Sequence, residues 1–139
     1  MRISRDEMLM KMTRAAAERS TCRRLHVGAL AARKGRPIAT GYAGAPSGVS
    51  HCDETNCHPD QPCTRTVHAE AGLISFAARY GVALEGAVLY CTHSPCCSCA
   101  GLIANTGIIE VVYDLEYRKT DGIDLLSSVG ILVRKYDNT

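Results

Sequence analysis

Two short runs constrain this chain more than anything else in it: "HAE" at residues 68–70 and "PCCSC" at residues 95–99. Each reads as the start of a helix, and the apolar run "AVLYCT" between them reads as a buried strand. Pro95 suits a first helical turn, and the i, i+3 spacing of Cys96 and Cys99 sets both sulfurs on one side of that turn. Helix N-termini present free N–H groups and the positive dipole end, which favour the thiolate form that ligates zinc. One imidazole from His68 and two thiolates leave a fourth tetrahedral position for water, the arrangement of a catalytic rather than a structural zinc. Glu70 then has a definite task, since zinc lowers the pKa of bound water and a nearby carboxylate can take the proton and return it elsewhere.

The cysteine count supports metal over disulfides. The chain has eight cysteines and five histidines in 139 residues. Its start, "MRISRDEMLMKM", lacks the long apolar core of a signal peptide, and no run approaches a transmembrane span, so a cytoplasmic protein is expected. In a reducing compartment clustered cysteines bind metal or catalyse. A net charge of +2 is too small to imply nucleic-acid binding, and the length suits a single domain over residues 1–139.

The remaining pattern is α-β-β-α-β-α-β-α-β. "SRDE" has capping-box form ahead of a helix over residues 5–19, and "VGALAA" and "PIATGY" flank the turn "RKGR" as a hairpin. Helices follow over 69–80, 96–106 and within "DGIDLLSSVG", alternating with the strands "AVLYCT", "IIEVVYD" and "ILVRKY". A hairpin followed by βαβ units implies a mixed sheet with helices on both faces. Residues 43–66 show neither helical nor strand period, and a loop that long is functional or held by something. It contains Cys52, Cys57, His58 and Cys63. Cys97 is expected to be a non-ligand, and Cys91, inside a strand, a small core hydrophobe.

H-x-E with P-C-x-x-C is a documented signature of zinc nucleobase deaminases. With "STCRRLHVGAL", "ATGYAGAPSGVSHCDE", "CTRTVHAEAGLISFAARYG", "GAVLYCTHSPCCSCAGLI" and "GIIEVVYDLEYR", the chain resembles the deoxycytidylate (dCMP) deaminases of the cytidine-deaminase superfamily. The resemblance implies a cytidine-deaminase-like three-layer α/β/α sandwich with a five-stranded mixed sheet. It implies zinc-dependent hydrolysis of dCMP to dUMP and ammonia, feeding thymidylate synthesis, with Glu70 protonating N3 and then the leaving ammonia. By the same likeness the backbone at Ala69 and Ser94 holds the pyrimidine edge. Arg24, Ser47, Tyr117 and Arg118 become candidates for phosphate or sugar contact, with a solvated surface cation as the alternative for each arginine. Many members are hexamers activated by dCTP and inhibited by dTTP, which makes Phe76 and Arg79 effector candidates. Some relatives carry a second zinc, and Cys22, Cys52, Cys57 and Cys63 are its expected structural ligands here, with His58 as a substitute.

Two positions depart from the family pattern. Ala43 stands where the usual "GYNG" has a substrate-facing asparagine, and Gly72 where "HAExNA" has another. Two polar-to-small changes suggest a reshaped pocket that accepts a 5-substituted dCMP. Two other classes fit the same motifs: a polynucleotide deaminase, which needs a basic, aromatic-rich channel, and a non-catalytic zinc protein. The chain has no Trp and one Phe, which disfavours the first. The intact His68, Glu70, Cys96 and Cys99 disfavour the second.

Overall fold

The computed structural model describes residues 1–22, 24–51, 65–117 and 119–137. Its elements follow the expected order: α1 (Arg5–Ala17), β1 (Gly28–Arg33), β2 (Arg36–Tyr42), α2 (Ala69–Tyr80), β3 (Val88–His93), α3 (Cys97–Ala104), β4 (Glu110–Leu115), α4 (Asp121–Ser128) and β5 (Leu132–Lys135). Ser4 caps α1, its Oγ accepting from the Glu7 N–H at 3.0 Å. The helix stops two residues earlier than the sequence suggests. The Glu18 and Arg19 N–H groups bond to carbonyls three residues back, at Ala15 and Ala16, which tightens the last turn out of α geometry. Residues 105 and 106 end α3 early in the same way. The hairpin between β1 and β2 turns through Lys34 (φ 54°) and Gly35 (φ 75°), the left-handed pair that a two-residue turn requires.

The sheet order is β2-β1-β3-β4-β5. β1 runs antiparallel to β2 and β3, whereas β3, β4 and β5 run parallel, giving the mixed five-stranded sheet the sequence implies. Strand parity divides the core. Ala29, Ala31, Leu89, Cys91 and Val111 pack with Leu73, Ile103 and Leu126 of α2, α3 and α4. Leu30, Ala32, Tyr90 and Val112 pack with Leu9 and Met10 of α1 on the other face. Both faces of the central strands are therefore buried, which is why "GALAAR" shows no polar alternation.

One close approach positions the site. A Cβ on Gly41 would lie 2.3 Å from the Ala69 carbonyl oxygen, so only glycine lets the first turn of α2 rest on the end of β2. Beyond β2, Ala43 donates its N–H to Val27 O at 2.9 Å and accepts from Ser20 Oγ at 2.6 Å. Gly44 and Val67 exchange two backbone hydrogen bonds. The two ends of the long segment are thus joined to each other beside the start of α2.

Candidate active site

The carboxyl ends of β1's neighbours and the starts of two helices converge on one cavity of about 360 Å³. His68 is the N-cap of α2, and Cys96 is the N-cap of α3 rather than its first helical residue. In that position the Cys96 Sγ accepts from the Cys99 N–H at 3.5 Å, so helix capping and ligand placement use the same sulfur. His68 Nδ1 lies 3.5 Å from Cys96 Sγ and 3.4 Å from Cys99 Sγ, and all three ligand atoms fall within 4.8 Å of one another. Among the described residues this is the one His/Cys/Asp/Glu group of such compactness.

The donor set fits a zinc ion. Burial, the neighbouring Glu70 and the Cys96 sulfur push the Cys99 thiol well above the usual cysteine range. Two sulfurs with one imidazole are the borderline-soft ligands zinc takes. Cys97, between them, is exposed and outside the group, as the spacing implies.

Glu70 is 4% exposed in the first turn of α2. Burial raises its pKa, opposed by its own backbone N–H, the charge of His68 and the thiols of Cys99 and Cys91. Cys91 is fully enclosed in β3, a small residue of the core, its thiol driven up by burial and by the neighbouring Glu70.

Of the residues expected to touch a nucleotide, Arg24, Ala43, Ala69, Ser94 and Tyr117 line the cavity, and Cys22 does too. Ser47 does not. Residues 46–49 close their own turn, Val49 N–H to Pro46 O, and Ser47 is left exposed. The Ser94 N–H donates to Leu115 O at 2.9 Å, which leaves the carbonyl as the Ser94 backbone group for the expected edge contact. Ser94 Oγ accepts from the Tyr117 N–H at 2.7 Å, which brings the segment after β4 against the cavity. Gly72 is not among the lining residues, and a Cβ there would meet only Val67 Cγ1 at 4.0 Å.

Phe76 and Arg79 lie on the last turns of α2, roughly 10 Å or more along the helix from Glu70. Both are exposed, the Phe76 ring 4.8 Å from that of Tyr80 and the Arg79 guanidinium 5.4 Å above it. Cys52, Cys57, His58, Cys63 and Arg118 lie outside the described residues. Leu25, Val27, Thr66, His93 and Glu116 also line the cavity and were not singled out from the sequence. His93 was the most accessible of these, since it shares the strand parity of Cys91 and directly precedes the "SPC" turn.

Residues 3–115 match the family described as the cytidine and deoxycytidylate deaminase zinc-binding region. ComE operon protein 2 of Bacillus subtilis is 38% identical over 138 residues, covering 98% of this chain and 73% of that protein. Deoxycytidylate deaminase of Mycobacterium phage D29 is 39% identical over 123 residues, covering 80% and 94%. The dCMP deaminase of cyanophage S-TIM5, solved with dCMP and dUMP, superimposes with a TM-score of 0.89 at 35% identity, covering 98% of this chain and 99% of that one. The motifs, the sheet and the His68/Cys96/Cys99 group agree with these matches, and the chain belongs to the cytidine and deoxycytidylate deaminase zinc-binding family.

Proposed function

We propose that the protein hydrolyses dCMP to dUMP and ammonia. The observation that carries this reading is the placement of a buried carboxyl, Glu70, beside the His68/Cys96/Cys99 group in a cavity of mononucleotide size. His68, Cys96 and Cys99 would hold a zinc ion, which when bound supplies a Lewis acid that makes water nucleophilic at neutral pH. The proton released by the attacking water passes to the Glu70 carboxylate, which delivers it to the pyrimidine N3. A second proton goes by the same carboxyl to the amino group as the C4–N bond breaks and C4 becomes a carbonyl. The apolar walls, Leu25, Val27, Ala43 and Ala69, enclose the base and exclude competing water. Arg24, exposed at the rim, is the cation suited to the 5′-phosphate.

The finer expectations are part of this proposal. Phe76 and Arg79, remote from the chemistry, are assigned to dCTP and dTTP control in a cytoplasmic homo-hexamer. Cys22, with Cys52, Cys57 and Cys63, is assigned to a second, structural zinc. Ala43, which places no polar side-chain atom in the cavity, leaves room for a 5-substituent.

Ammonia release from dCMP, 5-methyl-dCMP, 5-hydroxymethyl-dCMP, dCTP and deoxycytidine tests the reading. Turnover of dCMP or a 5-substituted dCMP by zinc-loaded protein is the expected result, and silence on the whole panel would overturn it. Metal analysis of the same preparation, giving two zinc ions per chain or one, decides the second site.

A further inference from the structure

The floor of the cavity is a row across three strands. β1 and β2 pair Gly28 with Tyr42, and the Ala43 N–H to Val27 O bond continues that register by one residue. β1 and β3 pair Ala29 with Cys91, and Gly28 N–H donates to Thr92 Oγ1 at 3.1 Å, which sets His93 beside Val27. Ala43, Val27 and His93 have the parity of the face under α2 and α3, and all three line the cavity. The row is apolar at Ala43 and Val27 and carries one polar side chain, at its β3 end.

That side chain meets Thr92 Oγ1 through its Nδ1. Thr92 Oγ1 accepts from Gly28 N–H, so its own proton has two acceptors in reach: the Gly28 carbonyl at 3.5 Å and His93 Nδ1 at 2.9 Å. Assigning the proton to the shorter contact makes Nδ1 the acceptor. With Nδ1 accepting, the neutral ring carries its proton on Nε2, and burial favours the neutral ring, opposed by the charge of Asp114. Among the described residues no hydrogen bond engages Nε2.

We propose that His93 is a substrate-recognition residue, its Nε2–H donating from the cavity floor to an acceptor oxygen of the bound nucleotide. This rests on the nucleotide-deaminase reading above. It adds a specificity-determining residue that neither the metal ligands nor Glu70 supplies, held in orientation by Thr92. An imidazole fixed from behind by a neighbouring hydroxyl loses little freedom when it binds.

The test is calorimetric titration of zinc-loaded protein with dUMP, alongside steady-state kinetics on dCMP. His93→Leu keeps the apolar bulk and removes the donor. It is expected to raise the dUMP Kd and the dCMP KM about tenfold, the loss of one well-made hydrogen bond, with kcat within about threefold. His93→Gln, which restores an N–H donor at similar reach, is expected to recover most of the affinity. Zinc content and melting temperature should match the parent in both variants. An unchanged dUMP Kd in a folded, zinc-loaded His93→Leu protein would overturn the proposal. So would loss of zinc in both variants, which would make His93 a structural support. If the parent protein neither binds dUMP nor turns over any panel nucleotide, the function itself is wrong, a result separate from equal binding by parent and variant.

Discussion

Asp6 and Glu70 are both acids in the first turn of a helix, one on each side of the same sheet, and their surroundings drive them in opposite directions. Asp6 accepts from Arg134 Nη1 at 2.7 Å and from the Tyr90 hydroxyl at 2.6 Å. The Arg134 hydrogen bond holds its pKa below the usual range despite partial burial. Glu70 meets no guanidinium among the described residues, and burial lifts its pKa. A helix N-terminus alone therefore does not decide the state of a carboxyl; enclosure and partner do. On the α1 face the acid joins α1, β3 and β5; on the opposite face it is enclosed beside the His68/Cys96/Cys99 group, where the proposed function assigns it proton transfer.

The sharpest way to break this contrast is Glu70→Gln. Ammonia release should fall by at least about a hundredfold while zinc stays bound, as expected for removal of a general acid–base. Retention of a tenth or more of the parent rate would remove Glu70 from its role. On the other face, Asp6→Asn should leave kcat and KM alone and lower unfolding free energy by about 1–2 kcal/mol, read by denaturant titration. The figure is at the modest end because the pair is partly exposed, with side-chain exposures of 39% and 31%. The pH dependence then follows in sign. A carboxyl whose folded pKa is depressed stabilises fully above its unfolded value of about 4 and loses that contribution as pH falls through the folded value. The stability gap between parent and Asp6→Asn should accordingly close on acidification, and a gap that persists at low pH would refute the charge-based account.

Tyr90→Phe should have a smaller effect, about 0.5–1.5 kcal/mol, because it removes one hydrogen bond and leaves Arg134 in place. Gly72→Ala should act in the opposite direction. The site has room for a Cβ, so the helix should gain about 0.5–1 kcal/mol without altering substrate preference. A changed preference would restore Gly72 to the pocket.

What could be read in advance was what is local in sequence. Element order followed from hydrophobic period, and the metal group from two motifs each only a few residues long. Helix ends at Ala17 and Ala104 were not legible, because the switch to tighter turns depends on packing of the following chain. The cavity wall was legible only in part. It draws on Arg24, Thr66, His93 and Glu116, which no common motif links, and the place of His93 emerges only when three strands are put in register. The role of Ser94 was hidden for the same reason, since its partners lie 21 and 23 positions further along.

Ser94 has a mechanical consequence. Its N–H grips Leu115 and its hydroxyl grips Tyr117, while Pro95 and Cys96 follow it directly in the chain. The outer rim at Tyr117 is thus tied through one residue to the turn that bears Cys96. The cavity wall after β4 and the start of α3 are therefore held in one piece by the backbone and side chain of a single serine.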